Sequence, residues 1–198
     1  AKYSLSNTSV RLGMSALKHL SPVQTVFEYA DRLHQELDKT ITVTIWNGDV
    51  PLVIKWLDSS RFLAVNIRLG SELSPFTSAA GRIFLAHLPQ LRRRELVEKY
   101  FSSPSTLPRY MGESVTKESF YRLLEDIKQE NLCRFKEDFL PDINVVSAPV
   151  FSLDGSVNSV ISLLGNSGDT PVSKSSVYVK AVQQASSSAT RKIAGYVS

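Results

Sequence analysis

The chain has 198 residues, 42% apolar and 21% charged, with a net charge of +4. That length suits one domain whose core is large enough to fold without disulfides or structural metal, and the composition excludes a disordered chain. The charge excess is too small for a nucleic-acid footprint: its one dense cluster, Arg92-Arg93-Arg94, is followed at once by Glu95 and Glu98, the pattern of a solvated helix face with acidic partners.

Lys2 to Leu17 is polar and serine-rich. It reads either as the trailing edge of an upstream element followed by a connector or as a plain flexible terminus. Ser21-Pro22-Val23-Gln24 opens a helix: Ser21 caps, Pro22 takes the first helical position and Gln24 reaches back. Val23, Phe27, Ala30, Leu33 and Leu37 follow on one stripe, and the helix should stop near Asp38. From Thr40 the period is that of strands. Ile41–Trp46, Leu52–Leu57 and Phe62–Ile67 are three predicted strands, the first two joined at Asn47-Gly48, a pair that tolerates positive φ.

A helix is expected over Ser78–Ala86, opening with small residues, and a second from Gln90 to Tyr100. Ser102–Pro108 reads as a loop. Thr116 caps a further helix to about Asn131, with Phe120, Leu123, Leu124 and Ile127 on one side. After Phe135 strand character returns: Val145–Phe151 and Val157–Leu164 flank Asp154-Gly155, a second hairpin turn. Ser173 to about Tyr196 closes the chain as a helix with Tyr178, Val182, Ala185, Ala189 and Ile193 inward. This order is that of an α+β fold, an antiparallel sheet flanked by helices in the outline of GAF- and PAS-like domains.

Catalytic constellations are missing from the pattern. His19, His34 and His87 lie far apart with no second metal-ligand type at helical spacing, so neither metal nor cofactor is expected. Glycine-rich phosphate loops and a G-x-S-x-G turn do not occur. Cys133 is the single cysteine and has only Arg134 and Lys136 beside it; it reads as an ordinary thiol. One thiol, no signal-peptide-like run at Ala1 and no stretch of 18 uncharged apolar residues point to a cytoplasmic protein with no membrane partner.

Several stretches together resemble the IclR family of bacterial transcription regulators. Leu69 to Ala86, with Gly70, Pro75, Ala79, Gly81 and Arg82, resembles the family's segment of glycine, proline, small residues and a Gly-Lys pair. Ser147-Ala148-Pro149-Val150-Phe151, Gly155 and Val160–Gly165 resemble its closing hairpin. The resemblance implies that residues 1–20 are the end of a DNA-binding wing and its linker, and that residues 21–198 are a GAF-like effector-binding domain. DNA would then be bound only through a winged helix-turn-helix ahead of Tyr3, and the assembly would be a homodimer or homotetramer.

Carried over position by position, the resemblance puts the wall of an effector pocket at Phe62, Val65, Leu73, Ala79, Ala80, Phe135, Ile143, Val145, Ser162 and Leu164. The family often has an acid where Phe135 stands, a cysteine or small polar residue at Val145 and a serine at Leu164; of those polar groups only Ser162 remains. An apolar wall leaves the hydroxyls of a small hydroxy- or keto-acid unpaired, at about 1–3 kcal/mol each. The expected effector is therefore a more apolar small organic acid, apolar or aromatic, with at most one carboxylate, held at the Ala79–Ala80 amides that open the Ser78–Ala86 helix. Two alternatives stand beside it. One is an interaction domain with a degenerate, ligand-free pocket. The other is a GAF-like enzyme such as a methionine sulfoxide reductase, which would need a resolving cysteine beside Cys133.

Overall fold

The computed structural model describes residues 21–61, 63–103 and 107–195; the expectations for residues 1–20 and for Phe62 lie outside these. Helix α1 (Ser21–Leu37) ends on Asp38, a left-handed residue at φ 45°. Strands β1 (Thr40–Asn47) and β2 (Val50–Leu57) follow as a hairpin. Asn47 still pairs with Val50, so the turn is Gly48-Asp49, one residue later than expected, with Gly48 at φ +70°. A turn whose first central residue is glycine bears the positive φ without a Cβ penalty.

The expected third strand is absent. Leu63–Ile67 is irregular, and the free edge of β2 is met by the segment after it. Gly70 N–H donates to Val53 O (2.8 Å), Val53 N–H to Ser71 O (2.9 Å) and Leu73 N–H to Pro51 O (2.8 Å). The alternation in Leu63, Val65 and Ile67 reports burial against the core, where Val65 is 2% exposed, and not ladder pairing.

Helices α2 (Ala79–His87), α3 (Gln90–Ser102) and α4 (Lys117–Glu130) come next, with a two-residue hairpin of β3 (Arg109–Tyr110) and β4 (Glu113–Ser114) before α4. Ser78 and Thr116 cap α2 and α4 with their hydroxyls, as the side-chain chemistry predicts. The basic run on α3 is met locally: Arg92 pairs with Glu95 and Asp49, and Arg93 with Glu125. Strands β5 (Cys133–Leu140), β6 (Ile143–Phe151) and β7 (Val157–Asn166) then lead to the closing helix α5 (Val177–Ile193). Pro141-Asp142 turns β5 into β6, with Asp142 at φ 60°.

The five long strands make one antiparallel sheet in the order β2-β1-β7-β6-β5. Two cores lie on its two faces. Ile41, Val43, Val146, Ile161 and Leu163 point toward α1 and α5, against Val26, Ala30, Val179 and Val182. Phe135, Val145, Val160 and Leu164 point the other way, toward α2 and α4, against Ile83, Phe120 and Leu124. The central strands β6 and β7 are therefore buried along nearly their whole length. Helix α2 is buried from Ala79 to Ala86, and its opening turn lies flat on the sheet.

Candidate functional site

Strand alternation puts β1, β7, β6 and β5 residues in a row on the α2 side of the sheet. Thr42 stands opposite Ser162, Ser162 opposite Ser147, and Ser147 opposite Cys133. Ser147 Oγ donates to Ser162 Oγ at 2.8 Å, which leaves Ser162 its own hydroxyl proton. Thr42 lines the same space, and its hydroxyl has no hydrogen-bond partner among the described residues.

Above this row the start of α2 closes a cavity of about 30 Å³. Its floor is Thr42, Phe135, Val145, Ser147, Ser162 and Leu164; its roof is Ser78, Ala79 and Ala80; Val53, Trp56, Ile67, Leu73 and Phe139 complete the sides. That volume holds a water or two. An aromatic ring needs a cavity of roughly 150 Å³, so any effector with a ring must open it.

The roof is built for close approach. Ser78 Oγ accepts from Gly81 N–H (3.0 Å) and donates to Ser74 O (2.6 Å), which ties the preceding turn to the helix. Gly81 has no side chain because a Cβ there would lie 2.6 Å from both Pro75 Cα and Ser74 O. The amides of Ala79 and Ala80, in the first turn, have no intrahelical acceptor, and both residues border the cavity.

The structure brings Leu73, Ala79, Ala80, Phe135, Val145, Ser162 and Leu164 around one space. Val65 and Ile143 are buried in the core on the same side of the sheet but off the cavity wall. The wall is less apolar than expected, because Thr42 and Ser147 add hydroxyls that the sequence comparison passed over. Their signal was local: Thr42 alternates with Ile41 and Val43, and Ser147 lies two residues from Val145 on the same strand face. Trp56 and Phe139 were also missed, since each reaches the cavity from a strand end.

Cys133, at the end of the row and off the cavity wall, is fully buried, and burial pushes its thiol up to about 12, so it stays protonated and unreactive at neutral pH. His34 contacts Lys39 O, and His87 contacts Ile83 O and Asn131 Oδ1, both structural uses. Among the described residues no three His, Cys, Asp or Glu side chains cluster as metal ligands, and no helix is long and apolar enough to cross a membrane.

This architecture occurs in solved bacterial regulators. It superposes on the IclR protein of Thermotoga maritima with a TM-score of 0.80 and 17% identity, over 97% of this chain and 76% of that one. It also superposes on the inducer-binding domain of the Acinetobacter transcription factor PobR, a double mutant in complex with 3-hydroxybenzoic acid, with a TM-score of 0.69 and 14% identity, over 82% of this chain and 94% of that one. Both of those proteins are transcription regulators. Residues 14–191 match the family of bacterial transcriptional regulator IclR C-terminal domains, and the chain belongs to that family. A curated relative, the Pca regulon regulatory protein of Pseudomonas putida, is 20% identical over 162 residues, 81% of this chain and 54% of that protein; the chain spans about half of that relative's length.

Proposed function

We propose that this chain is the effector-binding and oligomerisation domain of a cytoplasmic IclR-family regulator, and that it senses a small aromatic acid in the cavity between α2 and the sheet. The cavity carries the reading, because it combines two kinds of wall. Trp56, Phe135, Phe139, Leu73 and Leu164 offer apolar surface suited to a ring. At the start of α2, the amides of Ala79 and Ala80, the helix dipole and the hydroxyls of Thr42 and Ser162 converge on the same space, a donor set suited to a carboxylate. The 3-hydroxybenzoic acid bound by the PobR domain supports a ring-bearing acid here.

The sheet is clamped on both faces, so opening falls on the Leu73–Ser78 turn and on Phe139. An effector that binds only the opened form shifts the population of that form, and with it the arrangement of a homodimer or homotetramer on DNA. DNA contact would come from a winged helix-turn-helix elsewhere in the full-length regulator.

Calorimetric titration of this chain with benzoate, 3-hydroxybenzoate, glyoxylate and pyruvate tests the reading. The aromatic acids should bind, raising unfolding free energy by about 2.7 kcal/mol at a hundredfold excess over Kd, and Ser162→Ala should weaken them by roughly tenfold to a hundredfold through loss of one charge-assisted hydrogen bond. Tighter binding of glyoxylate than of any aromatic acid sinks the aromatic reading. The small volume favours a second reading, a ligand-free interaction domain; absence of binding by all four acids would select it.

A further inference from the structure

Arg82, in the first turns of α2, is the largest fully buried side chain in the described protein, and no ion pair among the described residues includes it. Its Nε donates to Phe76 O (2.8 Å) and its Nη2 to Arg109 O (2.6 Å), while Nη1 has no partner. The guanidinium carbon lies 4.5 Å from the Phe135 ring centroid, 5.7 Å from that of Phe120 and 6.0 Å from that of Tyr110. Aromatic faces and neutral carbonyls therefore contact a full positive charge; the one carboxylate that acts on it, Asp138, makes no ion pair with it and lies off the cavity wall. Burial holds its pKa below the ordinary arginine value, yet arginine keeps its proton in proteins.

The charge sits where it bears on the cavity. Helical side chains lean toward the helix N-terminus, and the bond to Phe76 O fixes the guanidinium beside the opening turn of α2. That is the end at which the Ala79 and Ala80 amides border the cavity. Phe135 is the partition: its ring packs against the guanidinium and also lines the cavity. No lining residue carries a negative charge. The formal charge and the positive end of the helix dipole thus act on one side of the space, unopposed by any lining carboxylate. Across an apolar ring a charge reaches several ångströms further than it would through water.

Resting on the effector reading above, we propose that Arg82 makes this cavity select anions, by supplying from behind Phe135 the counter-charge for the effector's carboxylate. Surface charges are screened by salt and a buried charge much less so, and the selectivity should therefore survive high ionic strength.

The test uses two probes of matched shape, 3-hydroxybenzoate and the neutral 3-hydroxybenzamide, titrated calorimetrically into the wild-type chain, Arg82→Lys and Arg82→Met. The wild type should prefer the carboxylate by about tenfold or more, and keep that preference in about 1 M salt, where the Debye length is about 3 Å. Arg82→Lys should retain the preference. Arg82→Met should diminish it by weakening the carboxylate and not the amide, a pattern that simple damage to the fold would not produce. Equal binding of the two probes by the wild type, or an undiminished preference in Arg82→Met, overturns the proposal while leaving the effector reading intact. Failure of both probes to bind overturns both. Should Arg82→Met fail to fold, the wild-type salt series still decides: a preference that vanishes in high salt belongs to surface charges and not to Arg82.

Discussion

Gly81 shows how one missing methyl group shapes the site. A Cβ would strike three atoms, and two of them, Pro75 Cα and Ser74 O at 2.6 Å each, are backbone that no rotamer change can move; the third is Ser78 Oγ at 2.7 Å. Alanine elsewhere in a helix gains about 1 kcal/mol over glycine. Here that gain is outweighed by prying the Ser74–Pro75 turn from α2 and by stretching the Ser78 Oγ bonds that hold it. We expect Gly81→Ala to be net destabilising by about 1–3 kcal/mol, the range of overpacked cores, as read from the midpoint of urea unfolding at unchanged slope. A variant as stable as the wild type would mean that the turn moves freely, and the roof of the cavity would then be looser than its packing implies.

The element most tied to the site, α2, owes its start to Ser78, whose extended backbone (φ −105°, ψ 146°) and hydroxyl end the turn and satisfy Gly81 N–H. Ser78→Ala should cost about 1 kcal/mol, as caps do, and Ser78→Gly a few tenths; thermal unfolding of the pair against wild type checks the order. Caps and apolar stripes are local, which is why α1, α2, α4 and α5 could be read from sequence to within a few residues. The missing third strand is the counter-case. Leu63, Val65 and Ile67 alternate like a strand, but alternation records only which side chains are buried, and the free edge of β2 was taken by Gly70–Leu73 through backbone atoms that leave no side-chain signature. The cavity wall divides in the same way. Ala79, Ala80 and Ser162 sit in stretches with a recognisable pattern, whereas the Thr42–Ser162–Ser147 row exists only once β1 is in register with the β6–β7 hairpin from a distant part of the chain. Arg82 could be seen in the sequence as a residue but not as a buried charge, because its burial depends on Phe120 and Phe135 arriving from other elements.

At the scale of the whole molecule, Asp169 joins segments that are far apart in sequence. One carboxylate oxygen meets Lys39 Nζ (2.6 Å), at the entry to β1, and the other meets Arg61 Nη1 (2.9 Å), in the segment after β2. Thr170 Oγ1 donates to it as well, at 2.7 Å. Lys39 is the stronger partner, since its side chain is 11% exposed against 81% for Arg61, and an exposed pair contributes little. These hydrogen bonds, first from Lys39 and then from Thr170, hold the Asp169 pKa below its ordinary value. A carboxylate with a depressed folded-state pKa binds its proton more readily in the unfolded chain. Its stabilising contribution is therefore present above the unfolded value, near pH 3.9, and is lost as pH falls through the lower folded value. Asp169→Asn should accordingly be less stable than wild type at pH 7, and the gap should close as the pH is taken below about 4. Urea midpoints for both proteins between neutral pH and pH 3 would show it. A gap that stays constant over that range would mean that the carboxylate's charge is not what ties β1, the Arg61 segment and the approach to α5 together, and that the Thr170 hydrogen bond and packing around Tyr178, over whose ring Lys39 Nζ lies at 5.3 Å, carry the junction instead.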